Sequence, residues 1–407
     1  MDRIRGLFQA LAAAANRVKR RPRILAALAV GICLVLVASS FVLLSGLGPS
    51  EASSSPAPTG TSIAALPTMG ATATTTATTP APSPTPAASF VSDLAGGIFP
   101  DLSSPYADLD GVLTTPALAH RLPMAIMIDD QASARPQSGF NGASIVYQAP
   151  ADGGQLRYML VFQEGTSTDI GPVRSARPYY VRWAAEYHAL LGHYGGDNQS
   201  LKEVIPAMSQ SIYNMDALNG GGCPYHRITT RPMPHNAYTN TNSLLACLPR
   251  KHYPATIDTK VPLRPFTDDL PRGQRPSHAT ITIPYRNQVV GYTYVPSTDS
   301  YVRSIGGQPQ IDMATNKRVT ARNVIVLWQS LTTYVEPGHN RPVVGQIGTG
   351  PATVFRDGQA IAATWQKKDD TDLTRLYDAS GNEIPLVRGR IFVQIVPTGT
   401  KVTHTQK

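Results

Sequence analysis

Residues 145–162 read IVYQAPADGGQLRYMLVF, and this stretch decides the fold class of the 407-residue chain. Two apolar runs, Ile145–Ala149 and Tyr158–Phe162, flank a polar segment that contains two glycines. Each run has the length and composition of a strand that is buried on both faces. Further runs of this kind occur at Ala125–Ile128 and Leu190–Tyr194. Because helical periods lie between or after these runs, residues 105–253 are predicted to form an α/β domain.

The clearest helical period is Pro178–Leu191. Its aromatic residues, Trp183 and Tyr187 among them, share one face, and Arg182 and Glu186 lie one turn apart on the other. We expect the aromatic face to pack into the core and the two charged side chains to pair.

Residues 254–277 contain five prolines that interrupt any periodic pattern, and we place a linker there. Short apolar or alternating runs follow it, separated by turn residues. Asp357-Gly358, between two such runs, is typical of a two-residue hairpin turn. Residues 278–400 are therefore predicted to form a smaller, mostly-β domain. Its predicted strands are Ala279–Ile283, Val289–Val295, Val324–Trp328, Thr353–Arg356, Ile361–Trp365 and Ile391–Val396.

The N-terminal region carries a membrane signal. Ile24–Leu47 is uncharged and long enough to cross a bilayer, which takes ~20 helical residues. The basic segment of residues 1–23 precedes it, and such segments stay on the cytoplasmic side. A cleaved signal peptide is the alternative, but its apolar core is ordinarily only ~7–15 residues long. We therefore expect a single-pass cell-membrane protein with a cytoplasmic N-terminus, a transmembrane helix at residues 24–47 and an extracytoplasmic bulk.

Residues 48–90 consist almost entirely of Ala, Ser, Thr, Pro and Gly. Such a composition cannot bury enough apolar surface to offset its ordering entropy. The segment is predicted to be a stalk, either glycosylated or bare.

The basic charge of the chain belongs mainly to its N-terminus. Seven of the 36 basic and one of the 27 acidic residues precede Ile24, so the remainder carries 29 basic against 26 acidic groups. The net positive charge of the whole chain therefore reflects mainly its membrane topology, because most of the excess of basic residues precedes the apolar segment. Neither zinc-finger spacing nor an aromatic-basic RNA motif occurs, and nucleic acid is not expected as a partner.

Four segments carry a resemblance to a known family: Met127–Ala149 (MIDDQASARPQSGFNGASIVYQA), Ile170–Tyr180 (IGPVRSARPYY), Pro234–Tyr238 (PHNAY) and Gly345–Pro397. The chain resembles the YerB-like family of bacterial envelope proteins, a domain of unknown function numbered 3048. The resemblance implies an α/β domain followed by a smaller β domain, exported and often tethered as a lipoprotein, but it implies no reaction. This chain departs from the family in its helix and stalk, and in Gln148, where the family commonly has an acid.

Arg174, Ser175 and Arg177 precede the helix predicted to begin at Pro178. A helix N-terminus favours an anion, and guanidinium groups bind carboxylates or phosphates with paired hydrogen bonds. The cluster predicts an anion pocket. The alternative is that the arginines pair with internal acids such as Asp129, Asp152 or Glu186.

The same site is expected at the carboxyl edge of the sheet. Asp129 ends a predicted strand, and ligands of α/β sheets bind outside such ends. We predict that Arg135, Arg174, Arg177 and His235 converge there on one cleft, with Asp129 and Asn236 at its rim. Because Gln148 stands where the family commonly has an acid, it favours a role in ligand recognition for this site over acid–base catalysis.

Signals for catalysis are weak. No Gly-x-Ser-x-Gly motif occurs, the histidines lack zinc-helix spacing, and neither a metal nor a cofactor is expected. Cys223 and Cys247 are either bridged or free. Three hypotheses remain: binding of an anionic wall polymer or peptide, a hydrolase or transferase acting on envelope glycans or peptides with Asp129 or Asp152 as acid or base, and a scaffold that docks partner proteins.

Overall fold

The computed structural model describes residues 97–219 and 223–407. The predicted basic segment 1–23, transmembrane segment 24–47 and stalk 48–90 lie outside the described residues. Of the described helices, none has the length and apolar character needed to cross a membrane.

The first half of the described chain contains eight strands and four short α-helices. The helices are α1 (Pro116–Ala119), α2 (Pro178–Ala185), α3 (Ile205–Ala207) and α4 (Thr241–Cys247), and a π-helical turn, Ser200–Val204, leads into α3. The strands are β1 (Met124–Asp129), β2 (Ile145–Pro150), β3 (Leu156–Phe162), β4 (Leu190–His193), β5 (Tyr213–Asp216), β6 (His226–Arg227), β7 (Ala237–Tyr238) and β8 (Phe266–Thr267).

The second half is made of strands. They are β9 (Ala279–Tyr285), β10 (Gln288–Val295), β11 (Ser300–Ile305), β12 (Gln308–Pro309), β13 (Ile311–Asp312), β14 (Lys317–Arg318), β15 (Thr320–Ala321), β16 (Asn323–Glu336), β17 (His339–Gly345), β18 (Gly348–Arg356), β19 (Gln359–Lys367), β20 (Arg375–Tyr377), β21 (Leu386–Val387), β22 (Ile391–Pro397) and β23 (Thr403–Gln406). The described chain is thus mostly β, with an α/β-like first half, and each predicted strand coincides with an observed one.

A central sheet of the described residues runs β20-β19-β18-β16-β22-β2-β3-β1-β4-β5, with β17 paired to β16. Strands from both sides of residues 254–277 therefore share one sheet, joined where β22 pairs in parallel with β2. The predicted division into 105–253, 254–277 and 278–400 stays a prediction. β1 lies inside this sheet, antiparallel to β3 and parallel to β4.

The central sheet has a core on each face because side chains alternate along its strands. Ile126 and Ile128 of β1 pack in one cluster, which also contains Ile281 and Tyr292 of a second sheet. Met127, the residue between them, packs in the other cluster with the aromatic side chains of α2. The second sheet of the described residues runs β12-β11-β10-β9-β23, with β15 on β11. Helix α2, the central sheet and the second sheet form three layers.

Helix α2 is shorter than predicted. It ends at Ala185, and His188 adopts a φ of 46° before β4 begins at Leu190. The end of the predicted period belongs to β4 because Leu190 pairs with Met124 of β1. Trp183 is fully buried, as expected of a core side chain.

The predicted surface pair of α2 is wrong. Glu186 is fully buried, with its Oε1 2.8 Å from Lys367 Nζ of β19, and Arg182 instead pairs with Asp370. A buried carboxylate must be offset by a buried cation, and only the folded chain brings Lys367 to it.

The structure shows the outcome for the predicted hairpin turn and for the two cysteines. Arg356 and Gln359 are the last pair of the β18–β19 ladder, so Asp357-Gly358 forms the predicted two-residue turn. Both turn residues have positive φ, 53° and 75°, as the hairpin turn requires. Cys223 and Cys247 form a disulfide bond, which decides the alternative that the sequence left open.

Candidate functional site

Three side chains form a hydrogen-bonded chain at the carboxyl end of β1. Ser133 Oγ lies 2.9 Å from His235 Nε2, and His235 Nδ1 lies 2.7 Å from Asp129 Oδ2. Ser133 is exposed, His235 is 9% exposed and Asp129 is 2% exposed. The chain therefore leads from solvent to a buried carboxylate.

Each member is held by its local backbone. Asp129 ends β1, and its N–H donates to Pro172 O at 2.9 Å. Ser133 lies in the 3-10 turn Ala132–Ala134 that follows the strand. His235 precedes β7, and its N–H donates to Pro232 O. The site is thus assembled from the end of β1 and two loops next to it, those that carry Ser133 and His235.

The contacts determine the tautomer of a neutral His235. A carboxylate can only accept hydrogen bonds, so Nδ1 must donate to Asp129. The lone pair of Nε2 is then left to accept the hydroxyl proton of Ser133. This is the arrangement in which an imidazole acts as a base toward a serine.

Asp129 has two further contacts. Arg174 Nε lies 3.0 Å from its Oδ2, and the N–H of Gln131 donates to its Oδ1 at 3.1 Å. Arg174 is itself anchored, because its N–H donates to Met127 O of β1. The carboxylate is therefore oriented from both sides.

Asp130, the next residue, is the centre of a separate buried network. Its carboxylate accepts from Arg135 Nη2 at 2.9 Å, Gln148 Nε2 at 2.6 Å and Gln288 Nε2 at 2.8 Å. Gln288 belongs to β10, so this network ties the second sheet to the end of β1. Arg135 is bound to Asp130 rather than free for a ligand.

Arg177 points to a different pair of acids. Its Nε lies 3.1 Å from Asp152 Oδ1 and 3.4 Å from Asp197 Oδ2, and its side chain is 6% exposed. Arg341 also contacts Asp152, at 2.8 Å. Burial opposes ionisation of Asp152, but the hydrogen bond and charge of Arg177 outweigh it and lower the pKa of the carboxyl.

Ser175 is engaged through its backbone away from the Ser133–His235–Asp129 chain, since its carbonyl oxygen accepts from Arg157 Nη1 at 2.8 Å. Arg157 is 6% exposed. Burial, followed by the charge of Arg177, lowers the pKa of Arg157 to about 10.

The predicted convergence is only partly present. Arg135, Arg174 and His235 meet at Asp129 and Asp130, whereas Arg177 binds Asp152 and Asp197. Asp129 lies at the buried centre rather than at the rim. Because each arginine already has an internal carboxylate, the geometry does not support an anion pocket built from Arg174, Ser175 and Arg177, and it matches the alternative of internal pairing.

Two other arginines flank the Ser133–His235–Asp129 chain. Asn236 Oδ1 accepts from Arg227 Nη1 at 2.5 Å, and Arg231 Nη2 donates to Pro136 O at 2.5 Å. Arg231 Nη1 also donates to Ala134 O, the carbonyl next to Ser133. Sequence reasoning noted Arg231 only as a neighbour of His235 and did not select Ser133, because no local motif marks a serine whose base lies 102 residues away.

One carboxylate cluster in the described residues has the spacing of metal ligands. Oxygen atoms of Asp269, Asp299 and Asp357 lie within 4.8 Å of one another. Arg322 Nη2 lies 3.1 Å from Asp299 Oδ2, and Arg275 Nη1 lies 3.2 Å from it. The chain's own cations therefore already offset this cluster.

Comparison with known proteins identifies the class. Residues 109–254 match the family described as "Protein of unknown function (DUF3048) N-terminal domain", and residues 280–393 match the corresponding C-terminal domain. The chain therefore belongs to the YerB-like family.

Its similarity to individual proteins is consistent with this. YerB of Bacillus subtilis (strain 168) is 28% identical over 295 residues, which cover 72% of this chain and 86% of the relative. The crystal structure of YerB from Bacillus subtilis aligns with a TM-score of 0.65 at 26% identity, covering 74% of this chain and 99% of that chain. The likeness extends over both halves of the described fold.

Proposed function

We propose that this protein is an envelope-associated acyl-transfer enzyme, a hydrolase or transferase, with Ser133 as its nucleophile. The observation that carries the proposal is the hydrogen-bonded order Ser133 Oγ, His235 Nε2, His235 Nδ1 and Asp129 Oδ2, with distances of 2.9 and 2.7 Å. Serine, histidine and a carboxylate in this order activate a hydroxyl on several unrelated folds, so the geometry rather than a motif is the criterion.

The proposed reaction has two steps. Ser133 Oγ attacks an acyl carbonyl carbon while its proton passes to His235 Nε2, and that proton then leaves with the departing alcohol or amine as the acyl–leaving-group bond breaks. Water in a hydrolase, or another hydroxyl or amine in a transferase, then releases the acyl group from Ser133 by the reverse proton path. Asp129 holds the imidazole and stabilises the imidazolium that forms.

The position of the three hydrogen-bonded side chains in the fold supports a catalytic role. Asp129 lies at the carboxyl end of β1, beside the parallel strand β4, where α/β sheets place their sites. Ser133 is exposed, so a substrate can reach it, while the carboxyl group that orients His235 is buried.

A scaffold is the second candidate. The internal pairing of Arg135, Arg174 and Arg177 favours it, since these side chains tie loops to the sheet without any ligand. In a scaffold, the hydrogen bond between Ser133 and His235 would only hold two loops together. The scaffold needs no reactive serine, which separates the two candidates experimentally.

The proposed location is the outer face of the cell membrane. The apolar run at residues 24–47 and the basic residues before it support a single-pass anchor, and the Bacillus subtilis relative, named as a lipoprotein, supports attachment to the envelope. Fractionation of cells and protease treatment of intact protoplasts test this. Resistance of residues 97–407 to external protease would contradict it.

A fluorophosphonate reagent tests the nucleophile directly. Its phosphorus–fluorine bond breaks as Ser133 Oγ bonds to phosphorus, and this requires an activated hydroxyl. We expect one label on full-length protein, located on Ser133 by peptide mass spectrometry, absent from Ser133→Ala and retained in the control Ser209→Ala, which removes another exposed serine. Labelling at Ser133 no faster than that of free serine would reject the proposal and favour the scaffold.

A further inference from the structure

Arg231 and Arg227 are held by residues next to the proposed nucleophile and base. Arg231 donates to the carbonyl oxygens of Ala134 and Pro136, and Ala134 is adjacent to Ser133. Arg227 donates to Asn236 Oδ1 at 2.5 Å, and Asn236 is adjacent to His235. Both guanidinium groups are therefore held within one residue of a member of the site.

Their partners are neutral. Besides Asn236, Arg227 donates to the Tyr194 hydroxyl at 2.7 Å, and its Cζ lies 4.8 Å from the centre of the Tyr194 ring. Arg231 contacts backbone carbonyls and, at 3.7 Å, the sulfur of Met313. In the described part of the chain neither arginine forms an ion pair, in contrast to Arg135, Arg174 and Arg177.

Both groups remain accessible to a ligand. Arg227 is exposed and Arg231 is partly exposed. A guanidinium has five N–H donors, and the contacts above occupy only some of them. Two held cations without carboxylate partners add positive charge near Ser133, which favours the approach of anions.

We infer that this site takes an acyl substrate whose acyl part carries a carboxylate or phosphate group, bound by Arg227 and Arg231 while its carbonyl lies at Ser133. The inference rests on the proposed function. It differs from the anion pocket expected from the sequence, because Arg174 and Arg177 serve internal carboxylates and the anion is assigned to two arginines of the 227–231 segment.

Turnover provides the first test. The full-length chain is given 4-nitrophenyl hydrogen glutarate and 4-nitrophenyl pentanoate, which have similar acyl chains but differ in charge. We expect kcat/KM for the anionic ester to exceed that for the neutral one. Arg227→Gln and Arg231→Gln should each lower this ratio about tenfold or more, since each removes a charge-assisted hydrogen bond. The control Arg272→Gln, at an exposed arginine of the turn Arg272–Gln274, should leave the ratio unchanged.

Binding provides an independent test that needs no catalysis. Ser133→Ala protein is titrated calorimetrically with monomethyl glutarate, methyl phosphate and neutral dimethyl glutarate. Binding of either anion, weakened tenfold by Arg231→Gln in the same background, supports the inference and identifies the preferred group. Equal binding of the neutral diester, or no binding of either anion, overturns it.

The two tests keep the proposals separable. Hydrolysis that depends on Ser133 but does not distinguish the esters rejects the anion assignment and leaves the nucleophile standing. If an anion binds but neither ester is hydrolysed and Ser133 is not labelled, the nucleophile is rejected. An anion-binding surface at Arg227 and Arg231 then remains.

Discussion

Arg303 Nη2 donates a 2.5 Å hydrogen bond to Gln148 Oε1 in the interior between the two sheets. Arg303 is fully buried, and the hydroxyls of Tyr158 and Tyr292 also accept from it, at 3.1 and 3.0 Å. The Nε2 of Gln148 donates to Asp130, so the amide links a buried cation to a buried carboxylate that does not touch it. An amide suits this position better than a carboxylate, because an ionised glutamate could accept from Arg303 but could not donate to Asp130.

Replacing Gln148 with leucine should therefore be costly. Arg303 and Asp130 would each lose a partner in the interior, at about 1–3 kcal/mol for each buried group. We expect the free energy of unfolding to fall by about 2–6 kcal/mol for Gln148→Leu and by far less for the control Gln308→Leu, at an exposed position of β12. Chemical denaturation measures both. Equal stability of the two variants would contradict the linking role of Gln148.

Arg177 should stabilise the fold far more than the partly exposed Arg182. Arg177→Ala removes the cation that Asp197 shares with Asp152 and leaves Asp152 paired only with Arg341 in the described part of the chain, and breaking a buried pair such as Arg177–Asp197 costs about 3–5 kcal/mol. The Arg182–Asp370 pair has side chains 27% and 37% exposed, so Arg182→Ala should cost no more than about 1 kcal/mol. Thermal unfolding compares the two variants. A smaller loss for Arg177→Ala than for Arg182→Ala would rule out the internal-pairing role.

Asp129→Asn should lower turnover sharply at temperatures where the variant is still folded. An asparagine amide can donate to His235 Nδ1, which forces the proton onto Nε2 and removes the acceptor for Ser133. The loss of kcat for any ester that the protein hydrolyses should be about 10⁴-fold. Asp258→Asn, at the partner of the partly exposed His188, is the matched control and should keep its rate. Full activity of Asp129→Asn would exclude the Ser133–His235 mechanism.

Asp110 should make stability depend on pH. Burial, reinforced by the charge of Glu164, raises the pKa of Asp110 from 3.8 to about 8. Between these values the folded state keeps a proton that the unfolded chain releases, so this group lowers stability as pH rises from about 4 to about 8. Asp110→Asn removes the penalty, and its gain in melting temperature should be larger at pH 8 than at pH 5. Asp268→Asn, at an exposed aspartate, should show no such difference. A pH-independent effect of Asp110→Asn would contradict the raised pKa.

Local patterns predicted the strands well and the side-chain partners poorly. The runs at Ala125–Ile128 and Ile145–Ala149 are strands because a stretch of apolar residues of that length is stable only when both faces are covered. Pro178 also begins helix α2 as expected. Its end was misplaced, since the pairing of Leu190 with β1 overrides the helical period.

In the candidate site, too, local patterns indicate individual residues but not their partners. Asp129 and His235 are recognisable in the sequence as polar residues next to apolar elements, within two of the segments that carry the family resemblance. Ser133 could not be selected, because its reactivity depends on a base that is distant in the sequence. The sequence leaves open whether Arg174 pairs with an internal acid or binds an anion, because no local pattern distinguishes the two.

The amino-acid sequence by itself determined the strands, the hairpin at Asp357-Gly358 and the family, because these depend on composition and order over a few neighbouring residues. Tertiary structure decided which charges neutralise one another, that Lys367 meets Glu186 in the core, and that Ser133 meets His235. The physical reason is that apolar burial is non-directional and can be inferred from local periodicity, whereas a hydrogen bond or ion pair depends on distance and angle between groups that only the folded sheet brings together.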